Sequence, residues 1–127
     1  MKKILFVCHG NICRSPMAEY VMKDLVKKAG LEGQFLIASA ATSTEEIGNP
    51  VYPPARRKLA EHGISCQGHA ARQLQAQDYN KYDLLIGMDN AGHPGKEVAD
   101  PWYTGDFETT WQDVLSGCQG LLKALGF

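Results

Sequence analysis

Cys8 and Arg14 stand with five residues between them in the run Cys8-His9-Gly10-Asn11-Ile12-Cys13-Arg14-Ser15. A thiolate is a strong nucleophile, and a guanidinium presents a planar fork that pairs two oxygens of a phosphate at once. The pattern therefore suits attack by sulfur on a phosphoryl group held by arginine. A free thiol is only a few per cent ionised at neutral pH, and a helix N-terminus or an arginine shifts that balance toward the thiolate. Gly10 and Asn11 are types that tolerate the left-handed backbone of a tight anion-holding loop. Spacing alone leaves other readings open. Cys8 could be a core residue ending a strand, and Cys8 with Cys13, completed by His62, Cys66 or His69, has zinc-like spacing. A cation there would sit against Arg14. Cys13, in the same loop, is either a small buried filler or a redox partner that protects Cys8 through a reversible disulfide.

A thiolate displacing an alkoxide or phenoxide needs a proton donor for the leaving oxygen. The best source is Asp100, in Asp100-Pro101-Trp102-Tyr103. Aromatic neighbours raise a carboxyl pKa, and Trp102 and Tyr103 offer a stacking surface for a phenyl ring. Asp-Pro is also a common turn starter, so this motif is suggestive only in company.

The elements around these residues place them together. Ile4 to Cys8 is a short continuous apolar run, as in a strand buried on both faces. Ser15-Pro16 supplies an N-cap and a first-turn proline for a helix carrying Met17, Val21 and Leu25 on one face, closed by Gly30. Phe35 to Ala40 reads as a second strand, Pro53-Pro54 to Leu59-Ala60 as a short helix closed by Gly63, and Asp83 to Met88 as a third strand. The stripe Phe107, Trp111, Val114, Cys118, Leu121, Leu125 is a final helix; Asn90–Pro94 is the least structured stretch. Alternating strands and helices predict an α/β fold: a three-layer, doubly wound parallel sheet. Ligands of such sheets bind beyond the carboxyl ends of the strands, where Cys8 to Ser15 lies.

The bulk numbers agree. The 127 residues suffice for one domain, and 44% apolar, 21% charged and a formal charge of −1 give no global field for nucleic acid or anionic membrane. The basic groups Lys27-Lys28 and Arg56-Arg57-Lys58 read as solvated helix faces. No apolar stretch reaches the roughly 20 residues of a membrane span. Four cysteines (Cys8, Cys13, Cys66, Cys118) without other marks of a secreted scaffold fit reduced thiols in the cytoplasm.

The segments VCHGNICRSPMAE, SAATSTEEIGNP, GHAARQL, YDLLIGMD and ADPWYTGDFE together resemble the low-molecular-weight protein tyrosine phosphatases along nearly the whole chain. The resemblance implies that residues 1–127 form one domain with the Rossmann-like phosphotyrosine phosphatase fold. It implies that Cys8 forms a phosphocysteine, that Arg14 binds phosphate, and that Asp100 is the acid that later activates water. Asn11 matches the left-handed loop asparagine, and Ser15, Ser39 and His69 match polar residues bracing the cradle. Phosphotyrosine proteins would be substrates, inorganic phosphate or vanadate inhibitors, and no metal or organic cofactor is needed. Members are monomers.

Several features qualify the match. At Glu45 many relatives carry an aromatic that walls the cleft, so a carboxylate weakens phenyl stacking and disfavours acidic peptides. Relatives also insert a helix and a fourth strand where this chain has only Asn90 to Ala99. The third strand is then expected as an open edge that could pair with a second chain. A phosphate-binding module without turnover is the main alternative. Arsenate-reductase-like thiol chemistry lacks the extra cysteine pair it requires after the third strand. Related arginine phosphatases carry threonine where this chain has Ile12, whose apolar side chain suits an aromatic leaving group.

Overall fold

The computed structural model describes residues 1–88 and 106–127. In chain order they form β1 (Lys2–Cys8), α1 (Arg14–Lys28), β2 (Phe35–Ala41), α2 (Pro53–Glu61), the short α3 (Asp78–Lys81), β3 (Leu84–Gly87) and α4 (Phe107–Ala124). A 3-10 turn, Glu32–Gln34, leads into β2. The three strands are parallel in the order β2-β1-β3. The chain winds from β1 to one neighbour and then crosses to the other, so the direction reverses at β1. Cys8 ends that central strand, opposite Ala41.

Strand alternation splits the core in two. Ile4, Phe6 and Cys8 face a layer built from α1, α2 and α4, with Met17, Val21, Met22, Leu59, Trp111 and Val114 buried against them. Leu5, Val7 and Ala40 face the other way, covered by Tyr82 and Leu74. Among the described residues the longer helices thus share one face. The small side chains of Ala38 and Ala40 let the loop through Leu74, with α3, lie over the second.

The ends of these elements have local causes. Gly30 is left-handed (φ 74°), with its N–H on the Lys27 carbonyl at 3.0 Å and that of Leu31 on Val26 at 2.8 Å, which closes α1 as expected. Gly63 closes α2 in the same way, through Leu59 and Ala60. The start of α1 differs from expectation. Cys13, not Ser15, is the N-cap and makes no side-chain capping bond; Pro16 is the third helical residue rather than the first. No backbone bond is lost, because the first four helical N–H groups have no intrahelical acceptor. Ser15 cannot cap because its hydroxyl is committed to Asn11 and Cys8.

Other boundaries move slightly. β2 extends to Ala41 and α2 to Glu61, while β3 is shorter than Asp83 to Met88 and only half-buried. Its one described neighbour is β1, which accounts for the exposure. Lys58 is no solvated cation: its ammonium pairs with Glu61 at 2.8 Å and Glu108 at 3.1 Å, tying α2 to α4. Nearby, the His62 ring stacks on Trp111, with centroids 3.8 Å apart. The Asn90–Pro94 stretch lies outside the described residues.

The second face is fixed by a bidentate ion pair that the sequence reading did not find. Arg72 donates to both carboxylate oxygens of the buried Asp78, at 3.0 and 3.2 Å, and the Gln75 amide adds a third bond at 2.7 Å. The guanidinium holds the Asp78 carboxyl below its ordinary range, helped by that amide and by Lys81. A pKa lower in the folded than in the unfolded chain gives stability that is present above the unfolded value. That stability is lost as pH falls through the folded one. The Arg72 side chain is 39% exposed, so solvent screening limits the contribution to about 1 kcal/mol. Denaturant unfolding from pH 5 down to pH 2.5 should therefore show wild type losing about that much more stability than Asp78→Asn. Parallel pH curves for the two proteins would contradict the assignment.

Candidate active site

The loop between β1 and α1 is shaped by where its carbonyls go. The Cys8 carbonyl accepts from the Thr42 amide at 2.9 Å, and that of His9 from the Ser43 amide at 3.1 Å. The Asn11 carbonyl accepts from His69 Nε2 at 2.8 Å, that of Ile12 from the Tyr52 amide at 2.9 Å, and that of Cys13 from the Met17 amide at 3.0 Å. In a trans peptide the N–H of the next residue points opposite to the carbonyl. The amides of His9, Gly10, Ile12, Cys13 and Arg14 are therefore turned away from these outer partners, toward the inner side of the loop. Successive inward N–H groups at a helix N-terminus make a concave anion site.

Asn11 is the pivot. It is fully buried and is the one described non-glycine residue with positive φ, at 59°. Its amide group spans the loop: Oδ1 accepts from the Arg72 backbone N–H at 3.2 Å, and Nδ2 donates to Ser15 Oγ at 2.8 Å. Because Ser15 already accepts there, its own proton is available to Cys8 Sγ, 3.0 Å away. The Asn11 backbone N–H also donates to that sulfur, at 3.3 Å. Cys8 Sγ thus receives one backbone N–H and lies beside a hydroxyl that donates to it whenever the sulfur is a thiolate. Gly10 does not use the left-handed region expected of it, and a Cβ there would make only ordinary contacts, with Glu46 and Ile12.

The remaining predicted residues distribute as follows. Arg14 is the first residue of α1, at the other end of the loop from Cys8, and is buried. Cys13 is buried beside Ile12 and Ala71, and all four cysteines are free thiols. His69 donates from Nε2 to the Asn11 carbonyl, because a carbonyl can only accept, so it belongs to the loop's support. The Tyr20 and His69 rings meet edge to face, with centroids 6.2 Å apart. Burial first, then Glu19 and Cys66, pushes the Tyr20 hydroxyl up to about 12, keeping it neutral at physiological pH. Ser39 turns to α1, donating to Glu19 at 2.6 Å. Glu45 is exposed and pairs with His9 at 3.1 Å on the loop's outer rim. Asp100, Trp102 and Tyr103 lie outside the described residues.

Two further residues adjoin the loop without having been read as part of it. Tyr52 and Phe107 stack at 6.1 Å beside the buried Ile12, giving this side of the loop an aromatic flank. Tyr52 carried only one local signal, its place before Pro53, which marks a helix start rather than a pocket. His62, Cys66 and His69 do not join Cys8 and Cys13. Among the described residues no three His, Cys, Asp or Glu side chains form a set able to hold a metal ion, and no helix is long and apolar enough to cross a membrane.

Comparison with known proteins shows a family for the whole chain. Residues 3–95 fit the family described as "Low molecular weight phosphotyrosine protein phosphatase". The low molecular weight protein-tyrosine-phosphatase YfkJ of Bacillus subtilis is 38% identical over 150 positions, covering 98% of this chain and 96% of the relative. Its crystal structure superposes with a TM-score of 0.90 over 98% of this chain and 94% of the other. A phosphotyrosine protein phosphatase of Schizosaccharomyces pombe is 43% identical over 97% of this chain and 96% of its own. The Streptococcus pyogenes enzyme structure, 39% identical, gives a TM-score of 0.88 over the whole of this chain and 95% of that one. An aligned span of 150 positions exceeds the 127 residues here, so the Bacillus protein carries residues inside the span that this chain lacks.

The pivot makes a testable distinction. Asn11→Ala removes both side-chain bonds and leaves a Cβ in the left-handed region; Asn11→Gly removes the bonds alone. Urea unfolding should place the alanine variant about 1 kcal/mol below the glycine variant, and both below wild type. An alanine variant equal to or more stable than the glycine one would remove the backbone constraint from the argument.

Proposed function

Because the chain belongs to the low molecular weight phosphotyrosine protein phosphatase family, we propose that it hydrolyses phosphotyrosine-type monoesters through a phosphocysteine on Cys8. In the first step the Cys8 thiolate attacks phosphorus; the S–P bond forms, the bond from phosphorus to the phenolic oxygen breaks, and Asp100 gives that oxygen its proton. In the second step water attacks phosphorus, Asp100 takes the water proton, the S–P bond breaks, and inorganic phosphate leaves. The inward amides and Arg14 stabilise charge on the equatorial oxygens through both steps. Ser15 and the Asn11 amide stabilise the sulfur as attacker and again as leaving group.

The observation that carries this reading is the outward commitment of the five loop carbonyls, with two donors left on Cys8 Sγ. Such a ring favours a dianion bound against a thiolate and needs no metal to do so. Substrates are phosphotyrosine-containing proteins, and inorganic phosphate and vanadate are inhibitors because they occupy the same ring. The aromatic flank of Tyr52 and Phe107 supports a preference for a phenyl leaving group, as does the sequence Trp102-Tyr103 following Asp100. Reduced cysteines and a site built on a thiolate fit the cytoplasm.

Release of phosphate from para-nitrophenyl phosphate and phenyl phosphate, without added metal, tests the proposal. Cys8→Ser should lower turnover by on the order of 1,000-fold or more while inorganic phosphate still binds. A wild-type protein that binds phosphate and releases none from either ester would be a binding module on this scaffold, and the hydrolytic reading would fail.

Asp100→Ala separates the acid from the nucleophile. Its loss should be on the order of 100-fold with phenyl phosphate, whose leaving group needs the proton, and small with the nitrophenyl ester. Equal losses for the two esters would remove Asp100 from the acid role.

A further inference from the structure

The loop is held by a support that does not touch the reacting atoms. Asn11 Oδ1 takes its bond from the backbone N–H of Arg72, so the orientation of the Asn11 amide depends on where residue 72 sits. Three contacts fix residue 72. Its carbonyl accepts from the Ala41 amide at 2.7 Å, and the neighbouring Leu74 amide returns a bond to the Ala41 carbonyl at 2.8 Å. Its guanidinium is forked onto Asp78. The first two contacts come from the end of β2. The third is a charged pair whose acidic partner is buried and accepts three hydrogen bonds.

A continuous chain of contacts results. Asp78 holds the Arg72 side chain, the Arg72 amide holds Asn11 Oδ1, Asn11 Nδ2 occupies the Ser15 lone pair, and Ser15 turns its proton to Cys8 Sγ. The orientation of the Asn11 amide leaves the Ser15 proton free, and a Cys8 thiolate, which can only accept, then takes it. Were the amide reversed, its oxygen would face Ser15 and take that proton, and its NH₂ would confront the Arg72 N–H. Two facing donors repel, so the Arg72 amide selects the orientation that leaves the serine proton for sulfur.

We infer that the Arg72–Asp78 pair is the positioning clamp of the phosphate loop, acting through Asn11 and Ser15 on an anion bound against Cys8. Neither side chain is catalytic, since neither reaches the sulfur. The inference rests on the phosphatase reading for what binds, but its geometry concerns phosphate affinity and can be measured without turnover. Arg72 also meets Tyr82, so the clamp joins the loop to the second face of the sheet just before β3.

The test is titration of the protein with inorganic phosphate by calorimetry, alongside thermal melts and the kcat and KM for para-nitrophenyl phosphate. Asp78→Asn should weaken phosphate binding about 10-fold, the worth of one charge-assisted hydrogen bond. It should also lower kcat at temperatures well below its melting point, with Asp78→Glu restoring most of both. A folded Asp78→Asn protein with wild-type phosphate affinity and kcat, whatever its melting temperature, makes the pair merely structural and overturns the inference. If Asp78→Asn is unfolded at the assay temperature, Arg72→Lys is read on the same scale, because it keeps one charged contact and loses the fork. Wild-type affinity in that variant overturns the inference equally. Failure of wild type itself to bind phosphate would instead sink the functional reading, so the two failures are distinguishable.

Discussion

Five loop carbonyls between β1 and α1 are each bonded to a donor outside the loop's concave side, and this commitment governs the site. A peptide plane cannot turn its carbonyl outward without turning the following N–H inward. The ring of donors is therefore set by its exterior: Thr42 and Ser43 after β2, Tyr52 before α2, His69 in the following loop, and Met17 in α1. A buried loop with unpaired carbonyls would cost a kilocalorie or more per group, so the outer partners stabilise the fold while they aim the amides. Stability and binding geometry share the same bonds.

Asn11 makes that ring continuous. Its left-handed backbone turns the chain between the strand end and the helix start, and each polar atom of its side chain has a partner. The consequence reaches α1. With Ser15 drawn toward Cys8, the helix begins two residues earlier than its Ser-Pro signal indicates, and it goes without a side-chain cap. A local propensity has yielded to the requirement that a hydroxyl face the sulfur. Such departures from local rules concentrate at functional sites.

Much of this was legible in the chain because its signals are local or periodic. The buried runs at Ile4 and Phe35, the glycines at 30 and 63, and the apolar stripe from Phe107 each report one element, and each formed within a residue or two of expectation. Cys8, Arg14 and Asn11 were readable because their loop is contiguous. The clamp was not. Arg72 and Asp78 are ordinary surface types in a sequence, and only the fold shows that one carboxylate is buried and forked. For Lys58 only the Glu61 partner, three residues on, is local; Glu108 is fifty residues away and only the fold brings it near. Of the two residues whose types tolerate a left-handed backbone, the loop uses Asn11 and not Gly10.

The cysteines supply their own internal references. Burial pushes the Cys66 thiol upward and that of Cys118 to about 12, so neither is poised to react, whereas Cys8 Sγ receives the Asn11 N–H and lies 3.0 Å from the Ser15 hydroxyl. The most direct measurement is peptide-mapped alkylation of the four cysteines by iodoacetamide at pH 6, with and without inorganic phosphate. The structure predicts that Cys8 is modified first and that phosphate slows that reaction selectively. Modification of Cys8 no faster than Cys66 or Cys118, or at a rate indifferent to phosphate, would contradict an anion ring built around Cys8.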